Sequence, residues 1–418
     1  MRIWILICTL FVGAASSADD FSQRFVFGSD AGGAAVAPTT IYDAKAGFGF
    51  EPGAGVQSRN ACITSDQPFF FSVAVPEGNY RVSLKLGDPA GASNTTVKAE
   101  LRRLMVENVT TEPGKTETRT FIVNVRRATY SGGSVRLKSP RETTEEAWNW
   151  DDKLTLEFNG RHPALQSIEI SAANDVPTFF ILGDSTVCDQ SKEPYASWGQ
   201  MLPRFFRPDI AIANHAESGE TLGGSTGARR LEKVLSLMNR GDSLLIQFGH
   251  NDMKSKDPDA PQTYKATLKK WVLQARERGG IPVLITPMNR HSFQGGTVTN
   301  SLGEYPGMVR QAAAEEDVAL IDLNAMSKAL YEALGPKESI RLFKHNADLT
   351  EFDGTHHSPY GAYELAKCVV AGIRRGQPDL ARHLVEDVPP FDPNRPDPAS
   401  EFRVPPSPQF TNLRPLGD

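Results

Sequence analysis

From about residue 177 the sequence repeats one pattern, a short apolar run followed by a segment of helix length. The runs are Phe179 to Leu182, Ile210 to Ala213, Leu244 to Phe248, Pro282 to Ile285 and Val318 to Leu323. Between and after them, Trp198 to Phe206, Leu231 to Met238, Tyr264 to Arg278 and Met308 to Glu315 read as helices. Runs this short and this uniformly apolar are strands covered on both faces. Their alternation with helices builds a parallel sheet between two helical layers. A last helix is expected from Ser358, an N-cap, with Pro359 in its first turn and Leu365, Val369 and Ile373 as its apolar stripe.

Residues from about 21 to 175 follow another rule. Tyr80, Val82, Leu84 and Leu86 alternate with Arg81, Ser83 and Lys85, and Phe69, Phe71, Val73 and Val75 alternate ahead of a turn at Glu77-Gly78-Asn79. This reads as a hairpin of half-buried strands. Phe121, Val123 and Val125, then Val135 and Leu137, then Leu154, Leu156 and Phe158 repeat the alternation, punctuated by Gly132-Gly133 and Asn159-Gly160. Short strands at this spacing suggest an all-β sandwich. At 418 residues the chain is also too long for one ordinary core.

The two ends carry different signals. Met1-Arg2, the apolar stretch Ile3 to Ala14 and the small residues Ser16-Ser17-Ala18 read as an export signal, with cleavage expected after Ala18. The apolar stretch is too short for a stable membrane span. From about residue 388 prolines crowd the chain, so regular structure is not expected there. Phe391, Phe402 and Phe410 give that segment something to bury, so a surface strap and disorder both stay open. The expected division is 1–18 signal, 19–175 β-sandwich, 176–385 α/β domain and 386–418 proline-rich tail.

Net charge is −5, which leaves no basic field for nucleic acid or an anionic membrane. Without the signal three cysteines remain, Cys62, Cys188 and Cys368, too few and too scattered for a disulfide framework, although one pair is possible. No histidine–cysteine cluster has zinc spacing, and neither a metal nor an organic cofactor is expected.

Four short blocks stand near the ends of the expected strands, where groups in an open parallel sheet face one crevice. Gly183-Asp184-Ser185-Thr186 follows the first strand and exposes a serine, a nucleophile if a base is near; a helix-capping turn is the alternative. Gly219, in Glu217-Ser218-Gly219-Glu220, can present a backbone N–H to an oxyanion; with Gly223, Gly224 and Gly227 following, a flexible loop is the alternative. Asn251, in Phe248-Gly249-His250-Asn251-Asp252, can aim an amide N–H at the same place, or simply form a turn with Asp252. His250 is read as structural. Asp353 and His356, in Asp353-Gly354-Thr355-His356, are a carboxylate and an imidazole close enough in one loop to hydrogen-bond directly, and their spacing favours His356 over His357 as the base.

Taken together, in this order, Ser185, Gly219, Asn251 and Asp353/His356 resemble the GDSL or SGNH hydrolase superfamily over about residues 177–375. The blocks around them look closest to its rhamnogalacturonan acetylesterase branch. The resemblance implies a flavodoxin-like three-layer α/β/α fold. It implies a Ser185–His356–Asp353 triad, and an oxyanion hole made by the Ser185 and Gly219 N–H groups and the Asn251 side chain. The preceding sandwich resembles the galactose-binding-like modules fused to bacterial polysaccharide acetylesterases. Trp148 and Trp150 are its candidate sugar-stacking residues, with Trp150 read as structural. A secreted or periplasmic enzyme that deacetylates plant cell-wall polysaccharide is the implied function, with pectic rhamnogalacturonan ahead of xylan and no membrane or nucleic-acid partner. Two rivals are a lipase or thioesterase of the same superfamily and a non-catalytic carbohydrate-binding protein. Asp189, Lys192, Glu193, Glu217, Glu220, Lys254, Arg290 and His291 near the blocks favour a polar substrate over a lipid.

Overall fold

The computed structural model describes residues 21–28, 32–59 and 61–416. The expected export signal, with Cys8 inside it, lies outside the described residues. Five strands form a wholly parallel sheet in the order Ala211–Asn214, Thr178–Gly183, Ser243–Gln247, Ile281–Ile285 and Ala319–Ile321. Successive side chains of a strand point to opposite faces, and the packing follows. Phe179 and Ile181 join the apolar cluster shared with Trp198, Leu365 and Val369. Phe180 and Leu182 join the one shared with Val234, Leu268, Trp271 and Val309. Helices Leu323–Glu338 and Pro359–Gly376 therefore cover one face, and Arg230–Leu237, Ala260–Glu277 and Tyr305–Glu315 the other. The last helix starts as its sequence predicts: Ser358 Oγ accepts from Gly361 N at 3.2 Å, with Pro359 behind it. Among the described residues no helix is long and apolar enough to cross a membrane.

Upstream lie two largely antiparallel sheets. One runs Glu117–Val125, Gly78–Leu86, Ala164–Ala172, Ser22–Val26 and Ala34–Ala35, with Cys62–Thr64 and Gln57–Arg59 added at its side. The other runs Phe48–Phe50, Phe69–Ala74, Lys153–Asn159, Ser93–Ala99 and Arg103–Thr111. Both contribute to one apolar cluster: Tyr80, Val82, Leu84 and Ile168 from the first, Phe69, Phe71, Leu154 and Phe158 from the second.

The hairpin expected at residues 69–86 is not formed. Phe69–Ala74 and Gly78–Leu86 belong to different sheets. Alternation identifies which face of a strand is buried, and both strands bury theirs in the same core; it carries no information on which neighbour each one pairs with. No long strand forms at Val135 and Leu137 either, since only Gly133–Ser134 pairs, with Thr129–Tyr130. Gly223, Gly224 and Gly227, which leave a flexible loop open as an alternative, lie in the helix Leu222–Gly227, capped by Thr221. The three cysteines are buried and unpaired. The proline-rich tail is a strap, with Phe391 and Phe402 packed on the core, one short helical turn at Ala399–Glu401 and Phe410 left exposed.

Buried charges join the two parts of the chain. Arg103 donates to Asp189 Oδ2 at 2.8 Å, to the Asn124 carbonyl at 2.8 Å and to Asn149 Oδ1 at 3.0 Å. Arg102 donates to the carbonyls of Gln190 (3.0 Å) and Tyr195 (2.9 Å) and pairs with Glu193. Arg230 meets Glu142 at 2.6 Å. Trp150 is structural as expected, donating from Nε1 to Glu142 Oε1 at 3.0 Å beneath the Arg126 guanidinium. Asp189→Ala should strand Arg103 in the interior and cost about 3–5 kcal/mol. Urea unfolding reads this directly; a loss under about 1 kcal/mol, typical of an exposed pair, would contradict the interlock.

Candidate active site

The turn that carries Ser185 is set by its neighbours. Gly183 ends the first strand, and a Cβ there would meet Val187 Cγ2 at 2.6 Å and the Gln247 carbonyl oxygen at 2.7 Å, so only glycine fits. Asp184 Oδ1 accepts from Thr186 N at 3.0 Å and Thr186 Oγ1 at 2.7 Å, and its Oδ2 receives the His250 N–H at 3.4 Å. One buried carboxyl thus ties the turn after the first strand to the turn after the third. Burial pushes this carboxyl above its ordinary range, against the hydrogen bonds from Thr186 and His250. The Ser185 carbonyl accepts from Ser197 Oγ at 2.7 Å and Gln190 Nε2 at 2.8 Å.

Three of the expected side chains form one hydrogen-bonded line. His356 Nε2 stands 3.0 Å from Ser185 Oγ, and His356 Nδ1 stands 2.9 Å from Asp353 Oδ2. Asp353 Oδ1 accepts from the backbone N–H groups of Thr355 (2.9 Å) and His356 (3.1 Å). Burial alone would raise the Asp353 carboxyl. The hydrogen bond and charge of His356, with the two backbone N–H groups, outweigh burial and hold it at about 2. The segment is not the expected loop. Phe352–His357 is a short strand paired with Phe343–His345, which holds Asp353 and His356 in fixed register.

The rival histidines are accounted for. His357 Nε2 stands 3.1 Å from the Tyr331 hydroxyl and its ring stacks on Phe343, and burial and the neighbouring His356 push it down to about 3. His250 is fully buried with Nε2 3.2 Å from Met288 Sδ, and burial lowers its basicity strongly.

Gly219 adopts φ +73°, a left-handed conformation that glycine enters at no steric cost. Asn251 Nδ2 donates to the Glu220 carbonyl at 3.0 Å and its Oδ1 accepts from Lys254 Nζ at 3.3 Å, so both ends of the amide are fixed. The loop of Gly219 is held from below by residues that sequence reading passed over. Lys138 donates to the Ser218 carbonyl at 2.5 Å and pairs with Glu220 at 2.9 Å, while Arg141 reaches Glu217 at 3.1 Å and Glu146 at 2.6 Å.

The acidic residues read as substrate-facing therefore need correcting. Asp189, Glu193, Glu217 and Glu220 are buried and matched to Arg103, Arg102, Arg141 and Lys138. Their charges serve the fold, because a buried carboxylate must find a cation or a proton. Burial and the nearby Glu146 and Glu142 drive Glu217 strongly upward. Among the described residues no group of His, Cys, Asp and Glu side chains is arranged to hold a metal ion.

The Asp353 carboxylate makes stability depend on pH. Its folded-state value lies below the ordinary 3.8, so the stability it contributes is present above about pH 4 and lost as pH falls through about 2. Asp353→Asn should lose less stability than the native chain between about pH 5 and pH 2. Urea midpoints at the two pH values measure this, and equal losses would show that the carboxylate is not paired.

Comparison with known proteins gives the family. A family model described as "GDSL-like Lipase/Acylhydrolase family" matches residues 181–361. Rhamnogalacturonan acetylesterase RhgT of Bacillus subtilis is 40% identical over 217 residues, spanning 49% of this chain and 93% of that protein. An uncharacterized esterase of the same organism, YxiM, is 26% identical over 397 residues, 89% of this chain and 95% of that one. The crystal structure of YxiM aligns with a TM-score of 0.48 at 26% identity, covering 85% of this chain and 98% of that chain.

Proposed function

The chain belongs to the GDSL-like lipase/acylhydrolase family, and from that membership we propose that it is a secreted serine esterase that removes acetyl groups from plant cell-wall polysaccharide. Acetylated rhamnogalacturonan is the first substrate in this reading and acetylated xylan the second. The observation that carries the chemistry is the line from Ser185 Oγ through His356 to Asp353, with spacings of 3.0 and 2.9 Å. The name borne by the RhgT relative supports the substrate class.

In the first half-reaction Ser185 Oγ attacks the acetyl carbonyl carbon and its proton passes to His356 Nε2. Asp353 keeps the imidazole in the tautomer that presents Nε2 to the serine and steadies the imidazolium that forms. The carbonyl π electrons collapse onto oxygen, which takes hydrogen bonds from the backbone N–H groups of Ser185 and Gly219 and from Asn251 Nδ2. The ester C–O bond then breaks, and the departing sugar oxygen takes the proton from His356. This leaves an acetyl-serine. In the second half-reaction water attacks that ester, gives its proton to His356, and acetate leaves as Ser185 recovers the proton.

In this reading residues 19–175 form a β-sandwich module of the galactose-binding-like kind, and residues 176–385 form the esterase domain. The ion pairs of Arg102 and Arg103 favour buttressing as the role of the sandwich. Cleavage near Ala18 completes the reading, which puts the mature enzyme outside the cytoplasm.

Ser185→Ala should abolish acetate release from acetylated pectic polysaccharide, and Asn251→Ala should lower kcat by about 10²–10³ with a small change in KM. Acetate assays on both variants test this; a Ser185→Ala protein with native activity would sink the assignment. Nitrophenyl esters of increasing chain length test the acyl group, since preference for octanoate over acetate would favour a lipase.

A further inference from the structure

The proline-rich strap does more than fill the surface. Lys98 Nζ donates to the Pro405 carbonyl at 2.8 Å and to Ser407 Oγ at 2.7 Å. Ser407 Oγ in turn donates to Glu157 Oε2 at 2.7 Å, and Ser407 N donates to Glu193 Oε1 at 3.0 Å. The backbone of Glu193 then pairs with the strap, its N–H donating to the Gln409 carbonyl at 2.8 Å and its carbonyl accepting from Thr411 N at 2.7 Å. All of these anchors lie at or before Thr411.

Beyond Thr411 the strap enters the candidate active site. Arg414 Nε lies 3.1 Å from Asp353 Oδ2, the same oxygen that His356 Nδ1 faces. A Cβ placed on Gly219 would lie 3.0 Å from Leu416 Cβ, so Leu416 rests directly on the glycine assigned to the oxyanion hole. Ser185 and His356 are each only 2% exposed in this arrangement. A serine that must meet an ester carried on a polymer needs one open side, and in this arrangement Ser185 presents little surface.

We propose that residues 412–416 are an autoinhibitory strap, anchored at Glu193 and closed over Ser185, which a saccharide ester displaces in order to react. The proposal rests on the assignment of Ser185 as nucleophile. Two effects combine in the closed state. Leu416 occupies the space beside Gly219 that the ester carbonyl oxygen must enter. The Arg414 guanidinium takes a share of the Asp353 charge that would otherwise steady the His356 imidazolium. Leu413 and Arg414 are largely solvent-exposed, so little buried surface opposes release of the tip while the Ser407 anchor stays in place.

The test compares three proteins: the full chain, the chain shortened to end at Thr411, and the full-length Arg414→Ala/Leu416→Ala variant. The rate of Ser185 labelling by a fluorophosphonate and kcat/KM for 4-nitrophenyl acetate are measured for each. Both should rise about tenfold in the shortened chain, the scale set by one partly exposed ion pair and one apolar contact. A synthetic peptide with the sequence of residues 409–418, added in excess, should bring both back down. The double substitution should reproduce the rise with the anchors intact, so the result stands even if the shortened chain folds poorly. Rates in both altered proteins equal to or below those of the full chain would overturn the strap while leaving the esterase assignment standing. Absence of Ser185 labelling in all three proteins would overturn both.

Discussion

The buried charges of Arg102, Arg103 and Arg230 are the constraint on which the assembly of the molecule depends. An ion removed from water costs several kcal/mol unless an opposite charge and further hydrogen bonds meet it. For the first two, the carboxylates come from Asp189 and Glu193, across the boundary between the antiparallel sheets and the parallel one. For Arg230, on the parallel side, the partner is Glu142 from the segment before it. Neither half can satisfy its own interior. The candidate site inherits this arrangement, because the segment from Asp189 to Tyr195 flanks the Ser185 turn, and Lys138 and Arg141 hold the Gly219 loop.

Much of the α/β half was legible because buried parallel strands leave a strong trace. Each of the five apolar runs supplies a strand, in an order that puts the Ser185 turn between those of the second and third strands. The first three blocks were legible for the same reason, since a parallel sheet collects the ends of its strands along one edge, whereas the fourth lies on a separate two-stranded sheet. Strand pairing in the antiparallel half was not legible, since Phe69–Ala74 and Gly78–Leu86 show identical alternation whether they pair with each other or face each other across a core. The structural role of Asp189, Glu193, Glu217 and Glu220 was also hidden, because their cationic partners lie 76 to 91 positions away and an acidic residue reads as exposed until its partner is known. The contacts that fix Ser185, from Asp184, Gln190 and Ser197, leave no spacing signal either, as each is one polar residue meeting a backbone group or a near neighbour.

Asp353 is where these themes meet. Its carboxylate faces the His356 imidazole, two backbone N–H groups and the Arg414 guanidinium. A carboxylate has about four lone-pair directions, and here all four are claimed. Whichever partner withdraws changes what the remaining three receive, so the group proposed to orient the base is also the one through which the proposed strap would reach the chemistry.

The three unpaired thiols carry a consequence of their own. The thiolate is the form that oxidants and disulfides attack. Burial pushes Cys62 up to about 11 and raises Cys188 and Cys368 strongly. Cys188 is the telling case, since its Sγ stands 3.2 Å from Ser218 Oγ in the wall behind Ser185, where added oxygen atoms would press directly on the turn. Burial keeps that sulfur protonated and out of contact with solvent, the two conditions that slow attack by peroxide. A sulfur this near the candidate serine is shielded by burial alone, with no cross-link to occupy it.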